Sequence, residues 1–117
     1  CIPKLYAITD SIGATGMPDG LYKYGNFSIE RKGDKATLQN SNILAGSVMD
    51  MHTTFLNLKK LGFSMQELVA LTSYNAAQYL NEKNIGSIQI NYKANFLVLD
   101  QKLNLKEIYL NGKKINE

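Results

Sequence analysis

The chain has little of three residues that carry much of enzyme chemistry: one cysteine, one histidine and one arginine among 117 residues. A lone cysteine, Cys1, excludes an internal disulfide. A lone histidine, His52, cannot build a catalytic zinc centre, which takes about three protein ligands. With Arg31 the only guanidinium, the net charge of +3 rests on lysines. In the last third these (Lys83, Lys93, Lys102, Lys106, Lys113 and Lys114) alternate with Asp, Glu and Asn. Nucleic-acid binders cluster Arg and Lys with stacking aromatics on one face, so this pattern reads as solvated surface and no nucleic-acid partner is expected. No run approaches the ~20 apolar residues of a membrane span. Cys1-Ile2-Pro3-Lys4 is not the charged start and apolar stretch of a secretion signal. Internal repeats and low-complexity tracts are missing too.

What is present is one domain's worth of globular composition, 44% hydrophobic and 20% charged, enough to bury a core. Its most informative stretch is Leu5-Tyr6-Ala7-Ile8-Thr9-Asp10, which runs into a loop holding Gly13, Gly16 and Gly20. An apolar run that ends on a carboxylate beside a flexible loop is how a buried strand delivers a reactive side chain, so 5–9 is expected to be a buried strand. Short strands are expected over 21–24, 27–32 and 35–38, with Gly33-Asp34 as a turn. Ser47 with Asp50 is a capping box, followed by Val48, Met51, Phe55, Leu58 and Leu61 at helical spacing and Gly62 as the stop. Ser64 with Glu67 opens a second helix, with Phe63 and Leu68 at staple positions, and Asn75 is expected to cap a third over 76–80. Strands return over 95–99 and 105–110, and Asn111-Gly112 turns the chain back into 113–115. These late strands are expected to pair with the early β unit. Met49, Met51 and Met65 read as core filler, Asp19-Gly20 as a local turn, and His52 as a structural or exposed residue.

Three motifs in order carry a resemblance. Ile8-Thr9-Asp10-Ser11, Ala14-Thr15-Gly16-Met17-Pro18-Asp19-Gly20-Leu21-Tyr22 and Leu44-Ala45-Gly46-Ser47 resemble the C-terminal third of the N-acetylglucosamine-6-phosphate deacetylases, a branch of the metal-dependent amidohydrolase superfamily. Gly86-Ser87-Ile88 and Lys93-Ala94-Asn95-Phe96-Leu97-Val98-Leu99-Asp100 are similar to the closing β segment of amidohydrolases in general. The resemblance implies an α/β fold: the C-terminal piece of a (β/α)8 TIM barrel, with its last strand and helices, plus part of a small β-sandwich. Residues 1–20 would be the last barrel strand and active-site loop, 21–43 sandwich strands, 44–82 the barrel-terminal helices and 83–117 the closing sandwich strands. The chain would then be a portion of an enzyme several times longer. Three departures stand out: Ser11 where Ala is usual, Asn26 where a second Gly is common, and Asn75-Ala76 in place of Asn-Pro.

By the same resemblance Asp10 is the general base and acid for hydrolysis of an acetamide, and Leu44, Ala45 and Gly46 touch the bound amino sugar. The implied cofactor is a divalent metal, zinc or similar, whose ligands (a glutamate and two histidines) are absent from this chain. The implied partner is a small amino-sugar phosphate, and the implied setting a cytoplasmic homodimer. The portion alone is expected to be inactive and to hold no catalytic metal, and its open strand edges to self-associate or fray. Blander alternatives stay open. Asp10 can simply cap a loop, and 44–46 can be an ordinary loop leading into a helix. The chain can come from an amidohydrolase of another amide or cyclic imide, or be a β-rich interaction module with no catalysis.

Overall fold

A computed structural model describes residues 2–115. Cys1 and the last two residues, which end the first and fourth expected segments, lie outside the described residues. The chain divides into two compact units, Ile8–Leu61, and the stretch up to Ala7 together with that from Gly62 onward.

The Ile8–Leu61 unit is built on a three-stranded antiparallel sheet of β1 (Gly20–Tyr24), β2 (Phe27–Lys32) and β3 (Lys35–Leu38) in sequential order. Two-residue turns set the register, pairing Tyr24 with Phe27 and Lys32 with Lys35. Side chains alternate along a strand, so Ile29 and Arg31 share one face of β2. Opposite Ile29 stand Tyr22 and Leu38, and opposite Arg31 stands Ala36. That face carries the core: Ile12, Ala14, Ile29, Ala36 and Val48 are buried together, with Tyr22, Leu38 and Ala45 packed on them. Helix α1 (Met51–Lys60) follows. Its N-cap is Asp50, whose carboxylate accepts the Thr53 N–H at 2.6 Å. That bond holds the Asp50 carboxyl below its ordinary value. Ser47 is therefore not the cap. Its backbone is already committed to a parallel bridge with Ser11, and its hydroxyl accepts the Met49 N–H at 3.0 Å. The helix starts one turn later than the capping-box pattern placed it, leaving Val48 outside the helix and in the core.

The second unit holds a continuous helical rod, α2 (Met65–Val69), a π-helical stretch (Ala70–Tyr74) and α3 (Asn75–Tyr79). Ser64 and Glu67 form the expected capping box. Asn75 does not cap a helix. It sits inside the rod with right-handed backbone angles, is 7% exposed, and its amide donates to Ile2 O at 2.8 Å and Leu5 O at 2.6 Å. It ties the start of the chain to the rod, as does the Ala7 N–H on Leu71 O at 2.7 Å. Replacing Asn75 with Asp keeps the shape but swaps two donors for a buried charge facing two carbonyls. The expected loss is about 1–3 kcal/mol or more, read as a lower urea midpoint with an unchanged slope.

Residues 5–9 are not a strand and are not buried. Leu5 is 51% and Ile8 70% exposed, and no described strand runs alongside to complete a ladder. An extended apolar segment becomes a strand only when neighbours take its N–H and C=O groups. The late strands also depart from expectation. β4 (Phe96–Leu99), β5 (Leu105–Leu110) and β6 (Lys113–Ile115) form their own antiparallel sheet and do not pair with β1–β3. The Asn111-Gly112 turn sets the expected return, with Leu110 opposite Lys113. Phe96 and Tyr109 stack across β4 and β5 with ring centroids 4.5 Å apart. Met49 and Met65, 37% and 43% exposed, are not core filler.

The β4–β5 connection is organised by Asp100. Its carboxylate accepts the Lys102 N–H (2.9 Å), the Asn104 N–H (2.9 Å) and the Asn104 side-chain amide (3.0 Å), and pairs with Lys106 at 3.4 Å. These donors, the Asn104 side chain first, hold its pKa down at about 2. A carboxylate with a lowered folded value contributes stability above its unfolded value, lost as pH falls through the folded one. The 100–104 turn is therefore expected to be insensitive to pH above about 5 and to loosen between about pH 4 and 2. Carboxyl-carbon NMR titration should show an inflection near 2 for Asp100, and Asp100→Asn should abolish the response of that turn.

Candidate active site

The two loop motifs meet through their backbones within the Ile8–Leu61 unit. The Ser47 N–H donates to Asp10 O at 2.9 Å, and the Ile12 N–H donates to Ser47 O at 3.0 Å. Together they make the Ser11–Ser47 parallel bridge. Asp10 lies at the head of this bridge in left-handed backbone conformation (φ 52), with its side chain exposed. That conformation is uncommon for side chains other than Asn and Asp, so the position favours an Asp on backbone grounds as well as chemical ones.

Leu44, Ala45 and Gly46 run beside it, held on the other side by the sheet. The Leu38 N–H donates to Ile43 O and the Ala45 N–H to Ala36 O, both at 2.9 Å. Leu44 forms an antiparallel bridge with Thr37. Ala45 packs on the core while Leu44 projects, 65% exposed. Gly46 makes the closest approach. A Cβ there would lie 2.6 Å from Ile12 Cγ2, 3.2 Å from Asp10 O and 3.8 Å from Asp10 Oδ2. All four residues singled out in the sequence thus fall in one place: an exposed carboxylate directly beside a loop edge that only a glycine lets approach.

Sequence reasoning missed what holds the glycine-rich loop. Arg31, on the inner face of β2, donates from one guanidinium nitrogen to Ala14 O at 3.0 Å and to Met17 O. Asp19 does more than form a local turn, because its carboxylate accepts the Gly33 N–H at 2.9 Å. Tyr22 donates its hydroxyl to Pro18 O at 2.6 Å. The signal for Arg31 was in the sequence. A lone arginine among lysines, on an inward strand position, is a planar fork suited to several carbonyls at once.

The arrangement can receive and return a proton at Asp10 and present backbone groups at 44–46 to a ligand beside it. It does not hold a metal by itself. Among the described residues no group of three His, Cys, Asp or Glu comes together. His52 lies half-buried in the first turn of α1. By themselves these residues do not fit a divalent-metal centre. Among the described residues no helix is long and apolar enough to cross a membrane.

Comparison with known proteins places the chain in a family. Residues 9–115 match the amidohydrolase family. The chain is 35% identical over 107 residues to the N-acetylglucosamine-6-phosphate deacetylase of Lysinibacillus sphaericus, covering 91% of this chain and 27% of that protein. The crystal structure of the deacetylase of that name from Thermotoga maritima superposes with a TM-score of 0.89 at 29% identity, over 97% of this chain and 31% of its own. An aspartate-to-alanine variant of the Mycobacterium smegmatis enzyme, in complex with N-acetyl-D-glucosamine-6-phosphate, superposes with a TM-score of 0.86 at 26% identity, over 96% of this chain and 31% of its own. The chain thus spans less than a third of the length of these relatives, a family generally dependent on metal. With a match that begins one residue before Asp10 and runs through the last described strand, the chain belongs to the amidohydrolase family.

Proposed function

We propose that the chain is the C-terminal part of an enzyme that hydrolyses the acetamide of N-acetylglucosamine 6-phosphate to glucosamine 6-phosphate and acetate. The observation that carries this is the juxtaposition of the Asp10 carboxylate with the 44–46 loop through Ser47. Deacetylases dominate the similar proteins, and one is solved with that sugar phosphate. In this reading residues 1–20 complete a (β/α)8 barrel with its last strand and loop, and 44–82 supply its final helices. Residues 21–43 and 83–117 belong to a β-sandwich. The 5–9 segment, which joins no strand ladder, supports this, because a barrel strand needs neighbouring strands on both sides.

Asp10 takes a proton from the water that attacks the acetamide carbonyl. It then returns that proton to the amine as the C–N bond breaks. Leu44, Ala45 and Gly46 bound the sugar beside it. The divalent metal, zinc or similar, belongs in this reading to other segments, as does the grip on the phosphate. The complete enzyme would be a cytoplasmic homodimer.

The test is a hybrid in which this chain replaces the matching segment of the Thermotoga maritima enzyme. A folded hybrid should release acetate from N-acetylglucosamine 6-phosphate, and the 117-residue chain alone should not. A folded hybrid that cleaves a cyclic imide and leaves the acetamide intact would move the assignment to another amidohydrolase activity. Equal turnover by the isolated chain would remove the barrel reading.

A further inference from the structure

Ser11 follows Asp10 directly. Its hydroxyl donates to Met49 O at 2.6 Å. Four residues on, the Thr15 hydroxyl donates to Ser47 O at 3.3 Å, the same carbonyl that accepts the Ile12 N–H. Two hydroxyls of the Asp10 loop therefore hook two carbonyls of the 47–49 segment, Thr15 on the bridge carbonyl of Ser47 itself and Ser11 two residues beyond it. They reinforce the two backbone bonds at Ser47 that connect Asp10 and Ile12 to the segment leaving Gly46. We propose that Ser11 and Thr15 are positioning residues for Asp10. Their hydroxyls lock the carboxylate-bearing loop in register with the 44–46 edge, so that the distance between proton acceptor and bound sugar is set by side chains that touch neither.

Asp10 is in left-handed conformation at an irregular segment, so no regular ladder fixes it. The Ser11–Ser47 bridge is isolated, outside any named strand, and an isolated bridge opens easily without further ties. The Ser11 bond is short and spans residues far apart in sequence, so it adds a constraint that the local loop does not supply. A misplacement of about 1 Å at a reacting group can cost up to ~100-fold in rate. A lost hook that leaves the fold intact therefore acts on turnover before it acts on binding.

The inference rests on the proposed role of Asp10, and two readouts keep the failures apart. The first uses the 117-residue chain itself. Ser11→Ala should speed amide hydrogen exchange at Ser47 and Ile12 by about tenfold, with the amides of β2 unchanged. The second uses the hybrid enzyme. Ser11→Ala should lower kcat about tenfold with KM within about twofold, and Ser11→Thr, which keeps the hydroxyl, should restore it. Thr15→Val, isosteric but without the donor, should give a smaller loss of the same kind, restored in Thr15→Ser. Unchanged exchange at Ser47 in Ser11→Ala overturns the positioning role whatever the activity. So does unchanged kcat, or a loss that Ser11→Thr does not restore, in a hybrid that Asp10→Asn inactivates. A hybrid still fully active as Asp10→Asn, with Ser47 exchange raised by Ser11→Ala, would instead sink the catalytic assignment and leave the hooks as found.

Discussion

Asp10→Asn in the hybrid enzyme is expected to cut acetate release by about 10²–10⁴-fold while leaving the melting temperature unchanged. The two halves of that expectation come from different features of the same residue. The backbone at Asp10 is left-handed (φ 52), and Asn tolerates that region at least as well as Asp. The hydrogen bond from the Ser47 N–H to Asp10 uses its main-chain oxygen, which the substitution does not touch. The side chain is exposed, so no buried partner is orphaned. What Asn cannot do is accept the proton of an attacking water and hand it to the leaving amine. Asp10→Ala is the poorer probe, since Ala at this φ adds strain of about 1 kcal/mol or more to any catalytic loss. Acetate release and thermal melting, measured on the same samples, check both halves. A variant that turns over within about threefold of the parent hybrid would remove the general acid–base role. A variant that is inactive and unfolded would show instead that the carboxylate serves the fold.

The parts of this chain legible from sequence are those whose cause is local. The Gly33-Asp34 and Asn111-Gly112 turns, the Ser64–Glu67 capping box and the bounds of β5 are fixed by residues within a few positions of one another. Where a local signal pointed elsewhere, distant pairing decided. Ser47 reads as an N-cap with Asp50 as its partner, but the bridge to Ser11 commits Ser47 and Asp50 itself caps the helix. Asn75 looks like a cap, but the carbonyls of Ile2 and Leu5 gave its amide better use inside a helix. The 5–9 run has the composition of a buried strand, yet strandedness belongs to a ladder, not to a segment. The site divides the same way. Asp10 and Leu44-Ala45-Gly46 were each recognisable as motifs, but nothing in their spacing states that Gly46 lies against Asp10. Nor does it show that Arg31 is fastened to the loop between them.

Gly46→Ala is the substitution expected to cost the Ile8–Leu61 unit most. Its backbone sits at φ +117, a region that side-chain-bearing residues rarely adopt, and holding Ala there costs about 1–3 kcal/mol. The added methyl would also lie 2.6 Å from Ile12 Cγ2 and 3.2 Å from Asp10 O. Neither neighbour can give way cheaply. Ile12 is 8% exposed within the core of Ile29, Ala36 and Val48, and a β-branched side chain is stiff at χ1. Asp10 O is pinned by the Ser47 N–H. Overpacking of this kind adds about 1–3 kcal/mol, so the sum is roughly 2–6 kcal/mol, a large share of the ~5–15 kcal/mol that holds a domain together. Thermal unfolding followed by circular dichroism should show a fall of about 10 °C or more. Gly13→Ala is the control, because a Cβ at Gly13 meets nothing within 4 Å, and it should melt within a few degrees of the parent. The consequence for function follows from the same contact. The 44–46 loop and Asp10 approach each other at Gly46, so relief of the clash must widen the gap between them. Any hybrid carrying Gly46→Ala that still folds should therefore lose turnover beyond what its lowered stability explains. A hybrid that keeps full kcat would show that the close approach at Gly46 serves packing alone.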